Sequence, residues 1–180
     1  MKFLPYERLK IKTRLSADEA RKRLNDAIEP KRFRRWSEAN HKPYQGNVEG
    51  SYFEISRIIH YRNSFLPIIK GEIQPEMSGS SIHITMRPHG FVIAFMIFWL
   101  GGVGFFFFAM LVSFISSTTQ SNIGDASSLL IPGGMFAFGY ALLFGGFKFE
   151  SIKSKEFLRD LLQAEEVEEM GIVNPFRIAG

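Results

Sequence analysis

Two long segments without a charged residue constrain this chain more than any other feature of its sequence. The first runs from Phe91 to Ile115 and the second from Leu129 to Phe147, and they contain 25 and 19 residues. A helix rises about 1.5 Å per residue, so roughly 20 residues cross the hydrocarbon core of a bilayer, which is about 30 Å thick. Soluble helices almost always have a polar face, and these segments have none. Each segment is therefore predicted to be a transmembrane helix.

The distribution of basic residues predicts how this helical hairpin is oriented. Its connecting loop, residues 116–128, has Asp125 as its only charge, and all 22 Lys and Arg residues lie outside the two segments and the loop. Lys and Arg are enriched in the short loops that stay on the cytoplasmic side of a membrane. We therefore expect a two-pass protein of the cell (plasma or inner) membrane with both termini in the cytoplasm. Residues 1–12 lack an apolar stretch, so we expect no secretory signal there.

The two segments lack ionisable residues but are rich in small ones. Neither contains Asp, Glu, Lys, Arg or His, the residues that mark ion paths and proton relays inside membranes, so a transporter is not expected. Small residues recur at every fourth position of the second segment, namely Gly133, Ala137, Ala141 and Gly145. Such a stripe lets two helices approach closely. It predicts packing against the first segment or, alternatively, against a second copy of the chain in a homo-oligomer.

Residues 1–90 and 148–180 together are enough for one small cytoplasmic domain with its own core. Residues 7–14 alternate between apolar and basic side chains, which predicts a half-buried strand. Ser16 and Glu19 then form a capping box, which predicts a helix with its apolar residues on one face. The hairpin of residues 91–147 interrupts this domain, and residues 148–180 are predicted to return to it as a helix and a tail.

A series of short stretches with strand-like alternation precedes the hairpin. They span residues 44–49, 52–61, 66–74 and 82–86 and are separated by turn-forming residues. After the hairpin, an amphipathic helix is predicted to begin at Ser151 or Ser154, to pack its leucine-rich face on the sheet, and to continue through a Glu-rich end to Gly171. The predicted fold is an α+β cytoplasmic domain, an antiparallel β-meander of about four to five strands with two helices, that carries a two-helix transmembrane hairpin.

Arg57 departs from the strand pattern. It shares a predicted strand face with Phe53 and Ile55. A buried arginine is almost always paired, whereas an arginine near the surface can extend its guanidinium into water along an apolar stem. We therefore expect Arg57 either to reach solvent or to meet a carboxylate.

A basic and aromatic cluster follows the first predicted helix. It consists of Lys31, Arg32, Phe33, Arg34, Arg35 and Trp36. One interpretation is a solvated loop or a short strand, and a second is docking on the cytoplasmic leaflet, with the rings at the interface and the cations on anionic headgroups. A third is binding of an anionic ligand or nucleic acid, but the cluster is short and lies in no recognisable nucleic-acid module. These six residues are therefore our candidates for lipid or anion binding, and no nucleic-acid partner is expected.

No motif for catalysis or metal binding stands out. The four histidines are His41, His60, His83 and His89. None has metal-ligand spacing with another histidine or with an acidic residue. The chain has no glycine-rich phosphate loop after a strand and no nucleophile motif, and without cysteine it can form no disulfide. We therefore expect no metal, no cofactor and no enzymatic activity; in an enzyme, Glu54, Glu72 and Glu76 would be the candidate acids or bases.

These patterns leave three hypotheses for function. The first is a membrane-anchored binding or scaffold module whose cytoplasmic domain holds a protein partner, an apolar ligand or an anionic lipid. The second is a membrane-active effector whose hairpin oligomerises or rearranges on a signal from the soluble domain. The third is an enzyme that acts at the cytoplasmic leaflet and would require a pocket with convergent polar groups. The first is preferred, because neither a catalytic motif nor an intramembrane charge is present.

Overall fold

The computed structural model describes residues 5–30, 42–59, 61, 63–118 and 129–170. Within these ranges the helices are α1 (Ala17–Ala27), α2 (Gly90–Thr118) and α3 (Leu130–Leu161). The strands are β1 (Glu7–Thr13), β2 (Ile28–Glu29), β3 (Tyr44–Glu49), β4 (Tyr52–Arg57), β5 (Ile68–Glu76), β6 (Gly79–Arg87) and β7 (Glu166–Met170). The chain divides into two compact units, one from Met1–His89 with Phe147–Gly180 and one from Gly90–Gly146, so α3 contributes to both.

The first unit is built on a mixed sheet with the strand order β2-β3-β4-β5-β6-β1-β7. Strands β3, β4 and β5 each pair antiparallel with the next strand in sequence, and β1 pairs antiparallel with both β6 and β7. The two-residue β2 runs parallel to β3, which makes the sheet mixed. The fold class α+β is confirmed, but the prediction of four to five strands is too low.

Strand β7 is the larger of the two strands that the sequence pattern does not predict. Its sequence is Glu-Val-Glu-Glu-Met, and glutamate is depleted in strands, so the pattern places this stretch in the C-terminal helix. In the structure β7 pairs with the lysine-rich β1, and Glu166 lies opposite Lys12 with 2.7 Å between the carboxylate and the ammonium. The basic neighbour strand therefore compensates for the low strand preference of the glutamates.

One face of the sheet forms the core of this unit. Its buried residues are Leu9, Ile11, Tyr44, Phe53, Ile55, Ile69, Ile73, Ile82, Ile84 and Met86. Helix α1 packs Ala20 and Leu24 on this face, and Leu158 and Leu162 from the end of α3 and just beyond it lie in the same cluster. The predicted packing of the leucine-rich C-terminal face on the sheet is thus confirmed.

Helix α1 begins as its sequence predicts. Ser16 is the N-cap, and its Oγ accepts a hydrogen bond of 3.2 Å from the backbone N–H of Glu19. A side chain in this position satisfies one of the backbone donors that the first turn of a helix leaves free. The helix ends at Ala27, where Ile28 takes an extended conformation and begins β2.

Helix α3 differs from the predicted C-terminal helix at both ends. It is continuous from Leu130 to Leu161. Residues 147–161 contain no glycine or proline that could separate the apolar stretch from the predicted C-terminal helix. It ends well before Gly171 in a Schellman motif, in which Gln163 takes a left-handed conformation with φ 48°. The N–H of Ala164 donates to the carbonyl of Arg159 at 2.9 Å, which caps the helix and releases the chain toward β7.

The second unit contains α2 and the first half of α3. Both helices are long and apolar enough to span a membrane. Within this unit a Cβ atom added to Gly139 would lie 2.3 Å from Cζ3 of Trp99, and one added to Gly104 would lie 3.2 Å from Phe136. The two helices thus pack aromatic rings against glycines, which have no side chain to displace them.

Candidate functional site

The predicted basic and aromatic cluster lies outside the described residues. This applies to all six of its members, Lys31, Arg32, Phe33, Arg34, Arg35 and Trp36. Their proposed binding of lipid or anions therefore stays a prediction.

The predicted small-residue stripe is largely on the surface of α3. Gly133 is half-buried, and a Cβ atom added to it would lie 3.0 Å from the ring of Phe107 in α2. Ala137, Ala141 and Gly145 are exposed. The structure therefore brings one of the four residues against α2, and packing of the other three against a second copy of the chain stays a prediction.

An ion pair between the partly exposed Arg57 and a buried carboxylate connects β4 to α3. Glu150 is fully buried, and its Oε2 lies 2.7 Å from Nη1 of Arg57 at the end of β4. The hydroxyl of Tyr61 donates a hydrogen bond to Oε1 of the same carboxylate. Burial lowers the pKa of Arg57, but the hydrogen bond and the charge of Glu150 outweigh this effect and leave the pKa raised. For Tyr61 the effect of burial is the opposite: it raises the pKa, and the hydrogen bond to Glu150 raises it further. Of the two alternatives expected for Arg57, the structure shows the carboxylate partner.

A second polar cluster joins α3 to β1 around Glu7. Oε1 of Glu7 lies 2.5 Å from Nζ of Lys148, and Oε2 lies 2.7 Å from Nζ of Lys155. The hydroxyl of Ser151 donates to Oε2 at 2.5 Å. Burial raises the pKa of Glu7, but these three donors together outweigh it and hold the pKa below its ordinary value. Lys155 also pairs with Glu169 of β7 at 2.6 Å.

Tyr44 makes a third connection between α3 and the sheet. Its hydroxyl donates to Oγ of Ser154 at 3.2 Å, and its ring stacks on Phe157 with 4.1 Å between the centroids. Together with the pairs at Arg57 and Glu7, this contact attaches α3 to β1, β3 and β4. Because each of these polar groups has its partner within the protein, we assign the clusters to positioning α3 rather than to ligand binding.

The opposite face of the sheet carries a shallow, open groove of about 920 Å³. Its charged and hydrogen-bonding side chains include Glu49, Tyr52, Glu54, Lys70, Glu72 and His83. They come from strands β3 to β6, whose alternation sends every second side chain to this face.

A row of polar side chains crosses the groove. Tyr52 of β4 lies opposite Glu72 of β5, which in turn lies opposite His83 of β6. A hydrogen bond with Glu72 raises the pKa of Tyr52, which is 60% exposed. In the next row Glu54 and Lys70 are paired at 2.9 Å. The groove therefore offers a phenol, a carboxylate and an imidazole to a polar ligand.

The polar side chains of the groove can form hydrogen bonds and charge interactions with a ligand. The apolar face of the sheet is filled by its own side chains and by α1 and α3. Across the described part of the chain, no three His, Asp or Glu side chains are grouped in a way that could hold a metal ion. Glu54 and Glu72, two of the candidate acids or bases, do lie together in the groove.

Sequence reasoning missed Glu150, although a signal for it exists. Ser154 and Glu150 lie four and eight positions before Leu158 in α3. All three residues are fully buried. Residues four apart share a helix face, so the leucine-rich face contains a carboxylate. A carboxylate partner is one of the two alternatives for Arg57. Glu150 lies just before the predicted helix start at Ser151 or Ser154, so the prediction does not place it on the leucine-rich face.

No protein-family model matches this chain, and no curated protein or solved structure matches it either. Function therefore has to be inferred from the groove and from the two apolar helices.

Proposed function

We propose that this chain is a two-pass membrane protein whose α+β domain is a membrane-anchored binding module for a polar partner. The observation that carries this proposal is the groove of about 920 Å³, with Tyr52, Glu72 and His83 in one row. Binding sites are concave and contain a few polar groups that fix the orientation of the ligand. The charged and hydrogen-bonding side chains of the groove would contact complementary groups of a polar partner.

The exposure of the apolar helices supports membrane insertion. In the most apolar stretch of each helix, only 11% of the residues are buried. Large side chains such as Phe98, which is 82% exposed, and Ile131, which is 71% exposed, face outward. Soluble proteins rarely expose contiguous apolar surface of this size, because water disfavours it, whereas lipid tails solvate it. We further propose the plasma or inner membrane and cytoplasmic termini, from the distribution of Lys and Arg.

Cysteine labelling tests this topology, because the chain has no native cysteine. Single cysteines would replace Ser121 in the predicted external loop and the exposed Lys22 of α1. In intact cells a membrane-impermeant thiol reagent is expected to label residue 121 and not residue 22, and permeabilised cells should show labelling at both. The reverse pattern in intact cells would contradict the proposed orientation.

Site-directed photo-crosslinking tests the groove as the binding site. With p-benzoylphenylalanine at Tyr52, irradiation of cells is expected to give a discrete adduct, because this residue lies in the groove and is exposed. The same probe at Asp26, on the exposed side of α1, serves as the control and should give none. Thr85→Trp fills part of the groove and should remove most of the adduct without unfolding the domain. An adduct that persists in the Trp variant would show that binding occurs elsewhere.

The exposed small-residue stripe favours a second candidate, an effector whose membrane helices oligomerise. Ala137→Leu with Ala141→Leu places bulk on exposed positions, so the variant is expected to keep its thermal stability while its oligomeric size in mild detergent falls. Size-exclusion chromatography with light scattering measures this size. Met135→Leu, at another exposed position of α3, is the control and should change nothing. An unchanged size would mean that the stripe faces lipid.

A further inference from the structure

The outward side of α3 changes from apolar to charged residues within about one turn. Phe149 is 57% exposed and Ile152 is 45% exposed, although both belong to the α+β unit. The next outward positions, Glu156, Arg159 and Asp160, are all charged. A helix that faces water along its whole length has polar residues on its outer side. The apolar pair therefore requires a different environment from the charged residues that follow it.

Lys153 lies beside this apolar pair. Its Nζ is 3.9 Å from the centroid of the Phe149 ring, a cation–π distance. Its ion-pair contact is with Glu150 at 4.0 Å, the outer limit for such a pair, and that carboxylate already has Arg57 and Tyr61 as closer partners. The ammonium of Lys153 therefore retains capacity to bind a further anion.

We infer that Phe149, Ile152 and Lys153 form an anchoring site for the headgroup region of an anionic lipid. The inference rests on the proposed membrane insertion of α3. Phe149 follows Phe147, the last residue of the apolar stretch, by two positions, or about 3 Å of helix rise. Aromatic rings are enriched at this level of a bilayer, and a lysine stem can lie along apolar surface while its ammonium reaches the phosphates.

The change from apolar to charged residues favours lipid over a protein partner as the occupant. A bilayer interface passes from hydrocarbon to water over a short distance along the helix, and the outer face of α3 follows that order from Phe149 to Asp160. Lys153 adds the positive charge that anionic headgroups attract. The site is distinct from the predicted cluster at residues 31–36, because all three of its residues lie on α3.

Spin labels on single cysteines test the position of this site in the full-length protein. Labels at Ile152, at Phe138 within the apolar stretch and at Asp26 on α1 would be compared in lipid nanodiscs by their accessibility to oxygen and to a water-soluble nickel complex. Phe138 is expected to favour oxygen, Asp26 to favour nickel, and Ile152 to lie between them. Nickel accessibility at Ile152 equal to that at Asp26 would overturn the inference, whereas the same result at Phe138 would overturn membrane insertion itself.

Native mass spectrometry of the full chain in detergent tests the charge preference. Phosphatidylglycerol is expected to bind more strongly than phosphatidylcholine, and Lys153→Gln should weaken phosphatidylglycerol binding about five-fold. Lys22→Gln, which removes an exposed charge from α1, is the matched control and should leave binding unchanged. Equal binding of the two lipids, or no difference between the Lys153 variant and the wild type, would contradict an anionic-lipid site.

Discussion

Replacing Arg57 with Leu is expected to lower the free energy of unfolding by about 3 kcal/mol. The reason is that Glu150 is fully buried and its carboxylate lies 2.7 Å from the guanidinium, so the variant leaves a buried charge without its closest cation. Urea titration of the full chain in mild detergent, followed by circular dichroism, measures the change. Hydrogen exchange of the β4 amides should be faster in the variant, because the loss of stability is centred on this strand.

Two controls separate the buried charge from other effects of the Arg57 substitution. Lys70→Leu breaks an exposed pair with Glu54 and is expected to cost less than about 1 kcal/mol. Arg57→Leu combined with Glu150→Leu removes both charges and should be more stable than the single variant, because a buried pair can often be replaced by apolar residues at little cost. A double variant as unstable as the single one would show that packing, and not the unpaired carboxylate, causes the loss.

Leu158→Ala is expected to lower the free energy of unfolding by about 2–5 kcal/mol. Leu158 is fully buried in the core cluster, and truncation leaves a cavity between the end of α3 and the sheet. The same urea titration measures the effect, and proteolysis near the C-terminus should accelerate because α3 and β7 lose part of their support.

The neighbouring Arg159 provides the matched control for Leu158. It is exposed, and Arg159→Ala should change stability by less than about 0.5 kcal/mol. Equal effects of the two substitutions would mean that α3 does not pack on the sheet through Leu158.

Structural features that depend only on neighbouring residues along the chain are well predicted from the sequence. Ser16 and Glu19 specify the start of α1, because a cap involves residues three positions apart. The periodicity of Leu158 and Leu162 predicts the buried side of the C-terminal helix. The misfit of Arg57 predicts either a solvent-exposed guanidinium or a carboxylate partner, and no local pattern names Glu150, which lies 93 positions further along the chain.

Features that depend on distant parts of the chain are not predicted. Strand β7 forms by pairing with β1, where Lys12 lies opposite Glu166, and local strand preference cannot anticipate this pairing. The groove is another example, since Tyr52, Glu72 and His83 become neighbours only through the register of three strands. A shift of one residue in any strand would move its side chains to the other face of the sheet.

The α+β domain and the two helices long and apolar enough to span a membrane follow from the sequence alone. Composition and periodicity suffice for this, because the length of an uncharged segment and the alternation of a strand are properties of consecutive residues. Two features become visible only in the folded protein: the attachment of α3 to the sheet through Glu150 and Glu7, and the sheet face that carries the groove. Those features depend on strand order and register, in which residues far apart in the chain exclude water from one face and leave the other exposed.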